Sequence, residues 1–183
     1  MATPPWPCCP RTCRLPLASL VWLVIEKVKF GKPSLIGLVT GTIAGLATIT
    51  PASGTVGPAG AVVLGLAGGV ICYLAVDLIK HRFGIDDSLD VLAVHGIGGA
   101  TGTLLVPFLA SFGPGAAGLG EGKTVLGQFS VQLAGVGATA VWSILATVVI
   151  VAVTRRVTGL RAGAEAETEG LDFAQHGETG YRL

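Results

Sequence analysis

The stretch Leu89–Gly102, LDVLAVHGIGGATG, decides how the rest of the chain is read. An apolar run carries one histidine, His95, and then a cluster of glycines. Two meanings compete: a strand feeding a nucleotide-binding loop, or a membrane helix with one ionisable side chain inside it. A dinucleotide fingerprint needs G-x-G-x-x-G after a strand. Gly96 and Gly98 supply the first two glycines, but Thr101 stands where the third belongs. No alternation of strands with amphipathic helices surrounds the motif. The stretch therefore reads as a helix.

The placement of charge supports that choice. Only 13% of the 183 residues are charged and 51% are hydrophobic, whereas an ordinary soluble domain carries about 25% charged residues. Mean hydropathy is +0.72. No Asp, Glu, Lys or Arg lies between Lys32 and Asp77, between Asp90 and Glu121, or between Lys123 and Arg155. A helix crossing the hydrocarbon core needs about 20 mostly apolar residues. The first gap is long enough for two spans and the others for one each. A shorter apolar run, Leu15 to Ile25, is a fifth candidate. The expected fold is all-α and integral to the membrane, with about five transmembrane helices.

Turn residues set the boundaries. The spans are expected at Ser34 to Thr50, Gly57 to Ile79, Asp87 to Ala110 and Val125 to Val157, after the short first one. Thr50-Pro51 and Ser53-Gly54 read as a stop, and Pro58 as a helix opening. Residues 1–14, with their prolines and three cysteines, read as an unstructured leader. Residues 15–160 form the membrane region and residues 161–183 a polar tail. Lys27, Lys29, Lys32, Lys80, Arg82, Arg155, Arg156 and Arg161 fall in alternate loops or the tail, while the opposite loops hold only Lys123. Lys and Arg favour the cytoplasmic side, so the tail is expected to be cytoplasmic.

Composition also excludes functions. A net charge of +1 gives no reason to expect a nucleic-acid partner. No cysteine pair has convincing zinc spacing, and neither a metal nor a cofactor is expected. No nucleophile, base and oxyanion set stands behind an enzyme. Gly supplies 28 residues, about twice its usual share. Gly37, Gly41 and Gly45 share a helix face, as do Gly65 and Gly69, and Gly98 and Gly102. Such spacing lets helix backbones approach closely in a membrane.

Within Asp87–Ala110, Asp87 is expected to cap the helix, with Asp90 three residues on in the manner of a capping box. Both carboxylates would then meet the positive end of the helix dipole. His95 would lie about 12 Å along the axis, near the middle of a core about 30 Å thick. Val91, Gly98, Gly99 and Gly102 share its face. An ionisable group at that depth is expensive and suggests function, and a neutral imidazole can accept or donate a hydrogen bond. A packing histidine bonded to a neighbouring helix is the alternative, and spacing alone leaves both open.

GKPSLIGLVTGTIAGLATITPASGTVGPAGAVVLG, DDSLDVLAVHGIGGATGTLL and GLDFAQHGETGY resemble three separated motifs of the ammonium transporter (Amt) family, in the family's order. The resemblance covers about Ala18 to Tyr181. It implies the last five helices, the seventh to the eleventh, of an eleven-helix fold that assembles as a homotrimer in the cell membrane, with one pore per subunit. His95 matches the second of two pore histidines in mutual contact, and Val91 an apolar residue lining the same channel. The implied substrate is ammonium, which loses its proton at an outer vestibule; ammonia and the proton then cross with the histidines as relay. Asp172, His176, Gly177, Glu178 and Tyr181 match a tail that packs under the cytoplasmic face, where the PII signalling protein docks.

The family's first six helices, with the first pore histidine, the phenylalanine gate and the outer aromatic site, have no counterpart in the matched motifs. The chain is therefore expected to be a truncated fragment unable to form the pore alone. The competing readings are a regulatory or structural membrane fragment that pairs with intact subunits or PII, an unrelated five-helix transporter, and a soluble oxidoreductase. Alkaline carbonate extraction separates the last from the rest: the chain is expected to stay in the membrane pellet, and its release would remove the membrane reading altogether.

Overall fold

The structure is a computed structural model that describes residues 14–179. It divides into two units, residues 1–137 and 138–183. Most of the expected leader and Tyr181 lie outside the described residues; Arg14 opens a helix. The described residues are helical, without strands. In the first unit α1 spans Arg14–Phe30 and α2 Leu35–Ile49, the latter extended by a tight turn, Thr50–Ala52. α3 spans Pro58–Asp77 and runs into a π-helical turn, Leu78–Arg82. A second π-helical turn, Leu92–Ile97, leads into α4, Gly98–Leu109. α5, Val125–Val157, begins in this unit and ends in the other.

Local chemistry places these ends. Ser34 caps α2: its Oγ accepts from the Gly37 amide at 2.8 Å, as an N-cap side chain should. Glu26 of α1 holds that cap, accepting from the Ser34 amide at 2.7 Å and its hydroxyl at 3.0 Å. Pro58 takes the first position of α3, where its missing amide proton costs nothing. Four stretches are long and apolar enough to cross a membrane: Leu35–Ala52, Pro58–Arg82, Leu92–Leu109 and Val125–Val157. The fifth expected span does form a helix, α1. At 17 residues, with Glu26, Lys27 and Lys29 in its last turns, it is shorter and more polar than the four stretches that length and composition mark among the described residues.

The helices of the first unit meet at Thr48. Its side chain is fully buried, and its hydroxyl donates to Ala44 O at 2.8 Å. A Cβ added at Gly68 of α3 would collide with this threonine. One at Gly98 would meet Cys72 Sγ and Thr48, and one at Gly102 would run into the Thr48 carbonyl. Three glycines thus bring two helix backbones against one buried residue. α1 is seated in the same way: Gly41 abuts Ala18, Ser19 and Trp22, and Gly69 abuts Ala18 and Val21. Gly41, Gly69, Gly98 and Gly102, from the expected glycine faces, stand at these helix contacts. Around them pack Ile49, Leu64, Val106 and Leu109 at one end, and Trp22, Ala44, Tyr73 and Val94 at the other.

The second unit contains the end of α5, a short helix α6, Ala164–Glu169, and a π-helical turn, Asp172–His176. Its helical part carries exposed apolar side chains from Val141 to Val153. Arg161 makes a two-pronged ion pair with Glu167, at 3.1 and 2.8 Å.

The glycine contacts make a graded prediction. Gly102→Val, which forces a branched side chain into backbone, is expected to destabilise the fold by about 1–3 kcal/mol or more. Gly99→Ala, whose added carbon meets nothing within 4 Å, is expected to leave it unchanged. Melting of the purified protein in detergent, followed by size-exclusion profile, separates the two.

Candidate functional site

The helix that carries His95 does not start at Asp87. Asp90 adopts the left-handed conformation, φ 57°, and interrupts the chain there. Aspartate tolerates that region better than most residues because its short polar side chain bonds locally. Regular helical structure begins one residue later. Asp87 still caps, but at a distance: its carboxylate accepts from the Val91 amide at 2.9 Å and the Leu92 amide at 2.8 Å. Asp90 is not the partner of a capping box. Its carboxylate pairs with Lys80 Nζ at 2.8 Å, tying the start of this helix to the end of α3. Its carbonyl accepts from the Val94 amide at 2.8 Å.

This changes the position of His95 along its own helix. From the helix start at Val91 it lies only about 6 Å along the axis, half the expected distance. Its level is better given by its neighbours. The imidazole lines a groove with Ala47, Thr50, Pro51, Gly99 and Thr103. Ala47 is twelve residues beyond the start of α2, which is about 18 Å of helix. The histidine thus sits beside the second half of α2 although it lies in the first turn of its own helix. That turn is π-helical, a form found mostly as single turns and often at functional sites.

The groove is open and measures about 360 Å³. Two hydroxyls line it beside the imidazole. Thr50 Oγ1 donates to Leu46 O at 2.7 Å, and Thr103 Oγ1 donates to Gly99 O at 2.9 Å. Each has spent its proton on its own helix, so what remains for an occupant is oxygen lone pairs. The neutral imidazole adds one acceptor nitrogen and one N–H donor, so acceptors outnumber donors. The site favours a small hydrogen-bond donor over an anion.

The expected face of small residues divides in two. Gly99 lines the groove with His95. Gly98 and Gly102 are buried on the other side, against Thr48. Val91 is exposed one turn before His95. Thr50, Pro51 and Thr103 are groove residues that the motifs do not mark. His95, Gly99 and Thr103 recur every four residues, which is a usable signal, but Thr50-Pro51 reads as a helix stop and conceals its second role.

The tail residues stand in the second unit. Asp172 opens a π-helical turn that His176 closes, and Gly177 follows in the left-handed conformation, φ 65°. The Gly177 amide donates to Phe173 O at 3.0 Å and the Glu178 amide to Asp172 O at 3.1 Å. All four expected residues that are described are exposed. The Asp172, His176, Gly177 and Glu178 set therefore forms a capped turn, not a featureless tail. Among the described residues no cluster of three His, Cys, Asp or Glu has metal-binding geometry.

The ammonium transporter family model matches residues 12–181, beginning six residues ahead of the expected Ala18. This chain belongs to the Ammonium Transporter Family. Ammonium transporter Amt1 of Archaeoglobus fulgidus is 44% identical over 169 residues, covering 90% of this chain and 41% of its own length. A putative ammonium transporter of Methanothermobacter thermautotrophicus is 42% identical over 166 residues, covering 88% of this chain and 40% of its own. The crystal structure of the N240A mutant of Candida albicans Mep2 superposes with a TM-score of 0.76 at 32% identity, over 93% of this chain and 39% of that one. A structure titled Sensor Amt Protein gives a TM-score of 0.76 at 26% identity. The chain spans about two fifths of the length of these relatives. The curated ones are named as transporters, not enzymes.

The cap yields a prediction. Asp87→Ala removes the acceptor of two amides at the helix start, and such losses cost about 1 kcal/mol. Hydrogen exchange at Val91 and Leu92 is expected to accelerate about fivefold, with little change in the middle of α3. Unchanged exchange would show that Asp87 does not hold this end.

Proposed function

We infer that this chain forms one wall of an ammonium-conducting pathway, with His95 as the proton-handling group. The observation that carries this reading is the donor-poor, acceptor-rich groove beside His95, between two apolar helices. Ammonium presents N–H groups to the hydroxyl oxygens of Thr50 and Thr103 and to the imidazole. A neutral imidazole takes up a proton at one nitrogen and releases one from the other, which suits a solute that sheds its proton and travels as ammonia. Val91 contributes an apolar surface one turn away, and Gly99 leaves space beside the ring. Family membership and the names of the matched relatives support ammonium as the substrate.

The same reading places the chain in the cell membrane as a multi-pass protein with a cytoplasmic C-terminus, on the strength of the Lys and Arg distribution. The groove is open on its outer side, so conduction needs a second wall. Inverted repeats commonly meet at a transport site, and a facing set of helices from another chain or segment would complete it. Assembly as a homotrimer, and docking of a PII protein at the turn Asp172–Glu178, belong to this reading by the family resemblance. Pairing of this chain with intact subunits as a regulatory partner is the second reading, favoured by the exposed tail turn.

The chain alone is expected not to restore growth of a strain lacking ammonium carriers at low ammonium and low pH. Co-expression with the first six helices of Archaeoglobus Amt1 is expected to restore uptake, and His95→Ala in that pair to reduce it at least tenfold. Growth supported by the chain alone would overturn the need for a second wall. Full uptake with His95→Ala would overturn the role of the imidazole. Rescue that requires whole subunits and ignores His95 would favour the regulatory reading.

A further inference from the structure

We propose that α1 and α3 hold a binding site for a short primary alkylammonium ion, and that Lys29 fills it from within the chain. α1 carries Trp22 and Glu26 one turn apart, and α3 carries Tyr73 and Asp77 at the same spacing. Side chains four residues apart are neighbours on a helix surface. All four line one pocket of about 190 Å³, with Val76 beside them. Trp22 and Tyr73 meet edge to face, their ring centroids 5.1 Å apart, and both are buried, at 4% and 7% exposure. Lys29 meets Asp77 further along the same two helices, so both helices run the same way. Each carboxylate therefore stands one turn beyond the aromatic pair. The pocket shares no lining residue with the groove at His95, and the inference is independent of the transport reading.

Unspent polar groups define the occupant. Glu26 accepts two hydrogen bonds from Ser34, but among the described residues no cation pairs with it. A carboxylate has about four acceptor positions, so about half of them remain. Asp90, also in the pocket wall, is taken by Lys80 at 2.8 Å. Tyr73 lines the space, yet among the described residues its hydroxyl has no hydrogen-bond partner; a buried tyrosine hydroxyl usually finds one. A free carboxylate edge, a free hydroxyl and aromatic faces together suit a cation that carries N–H groups. The chain itself supplies such a head: Lys29 Nζ stands 5.0 Å from the Tyr73 ring centroid and 3.8 Å from Asp77. It is held loosely. The two side chains are 44% and 50% exposed, and His81 shares the same carboxylate at 3.2 Å; exposed pairs of this kind contribute little. A free amine with the same head can therefore displace it. At about 30 Å³ per water the pocket has room for about six waters, or for a chain of about four carbons with its nitrogen. Trp22 and Val76 offer apolar surface to that tail, which bare ammonium does not have.

The test uses the full chain in detergent, labelled with 5-fluorotryptophan, with the Trp22 resonance assigned by its loss in Trp22→Phe. n-Butylammonium, ammonium and 1-butanol are titrated in about 0.5 M sodium chloride, which screens exposed charges. Butylammonium is expected to shift the Trp22 signal saturably and to bind about tenfold more tightly than either ammonium or butanol. Glu26→Gln removes a charged acceptor and keeps the Ser34 contact; it is expected to weaken butylammonium about tenfold. Melting checks that this variant is folded, and Asp77→Asn takes its place if it is not, with the same expectation. A short tether holds its head at an effective concentration in about the millimolar range. Lys29→Met keeps the stem and loses the competing head, so it is expected to tighten butylammonium about fivefold. His95→Ala is expected to leave binding unaltered. Equal binding of butanol would show apolar filling alone, and equal binding of ammonium would show attraction to charge alone; either rejects the proposal. It is also overturned if Lys29→Met fails to tighten binding, or if His95→Ala abolishes it and so places the amine in the other groove.

Discussion

Everything in the first unit depends on how closely two helix backbones come to Thr48. The threonine is fully buried and bonded to its own helix, so it presents no unmet polar demand at the joint. Gly68, Gly98 and Gly102 remove the side chains that would otherwise hold α3 and α4 away. In a bilayer there is little hydrophobic gain in bringing helices together, because lipid tails are as apolar as the side chains. Dispersion contacts must supply the attraction, and they fall off steeply with distance. A joint made of glycines against one compact residue answers that requirement. It also fixes which face of α4 turns inward, and therefore which face carries the imidazole.

Much of this architecture is legible in the amino-acid sequence. Long intervals without charge place α2 to α5, because a charge inside hydrocarbon is too costly to hide. Pro58 marks a helix start for a reason that is purely local. The four-residue glycine spacing signals contact faces, and the structure puts neighbouring helices on Gly41, Gly69, Gly98 and Gly102. Less legible is whatever depends on a partner distant in sequence. Asp87 and Asp90 look like a cap pair on one helix, but Lys80 draws Asp90 to the end of α3 and the backbone turns left-handed between them. Thr48 carries no sequence signal at all, since its importance lies in what three other segments lack. Thr50 and Pro51 read as punctuation while also lining the groove.

The likeness to Amt and Mep2 proteins covers nearly all of this chain but only about two fifths of theirs. On the proposed reading the groove is one wall of a pathway. Thr50 and Thr103 line its open side with His95, while Gly98 and Gly102 on α4 pack against Thr48.

The π-helical turn at Leu92–Ile97 has a consequence for this division. Only Val91 precedes it in helical conformation, so the wide turn is the helix's own entrance. The regular α-helical pitch is reached at Gly98, the first of the two glycines that meet Thr48. His95 therefore stands on the entrance, ahead of the cylinder that the buried joint holds in place.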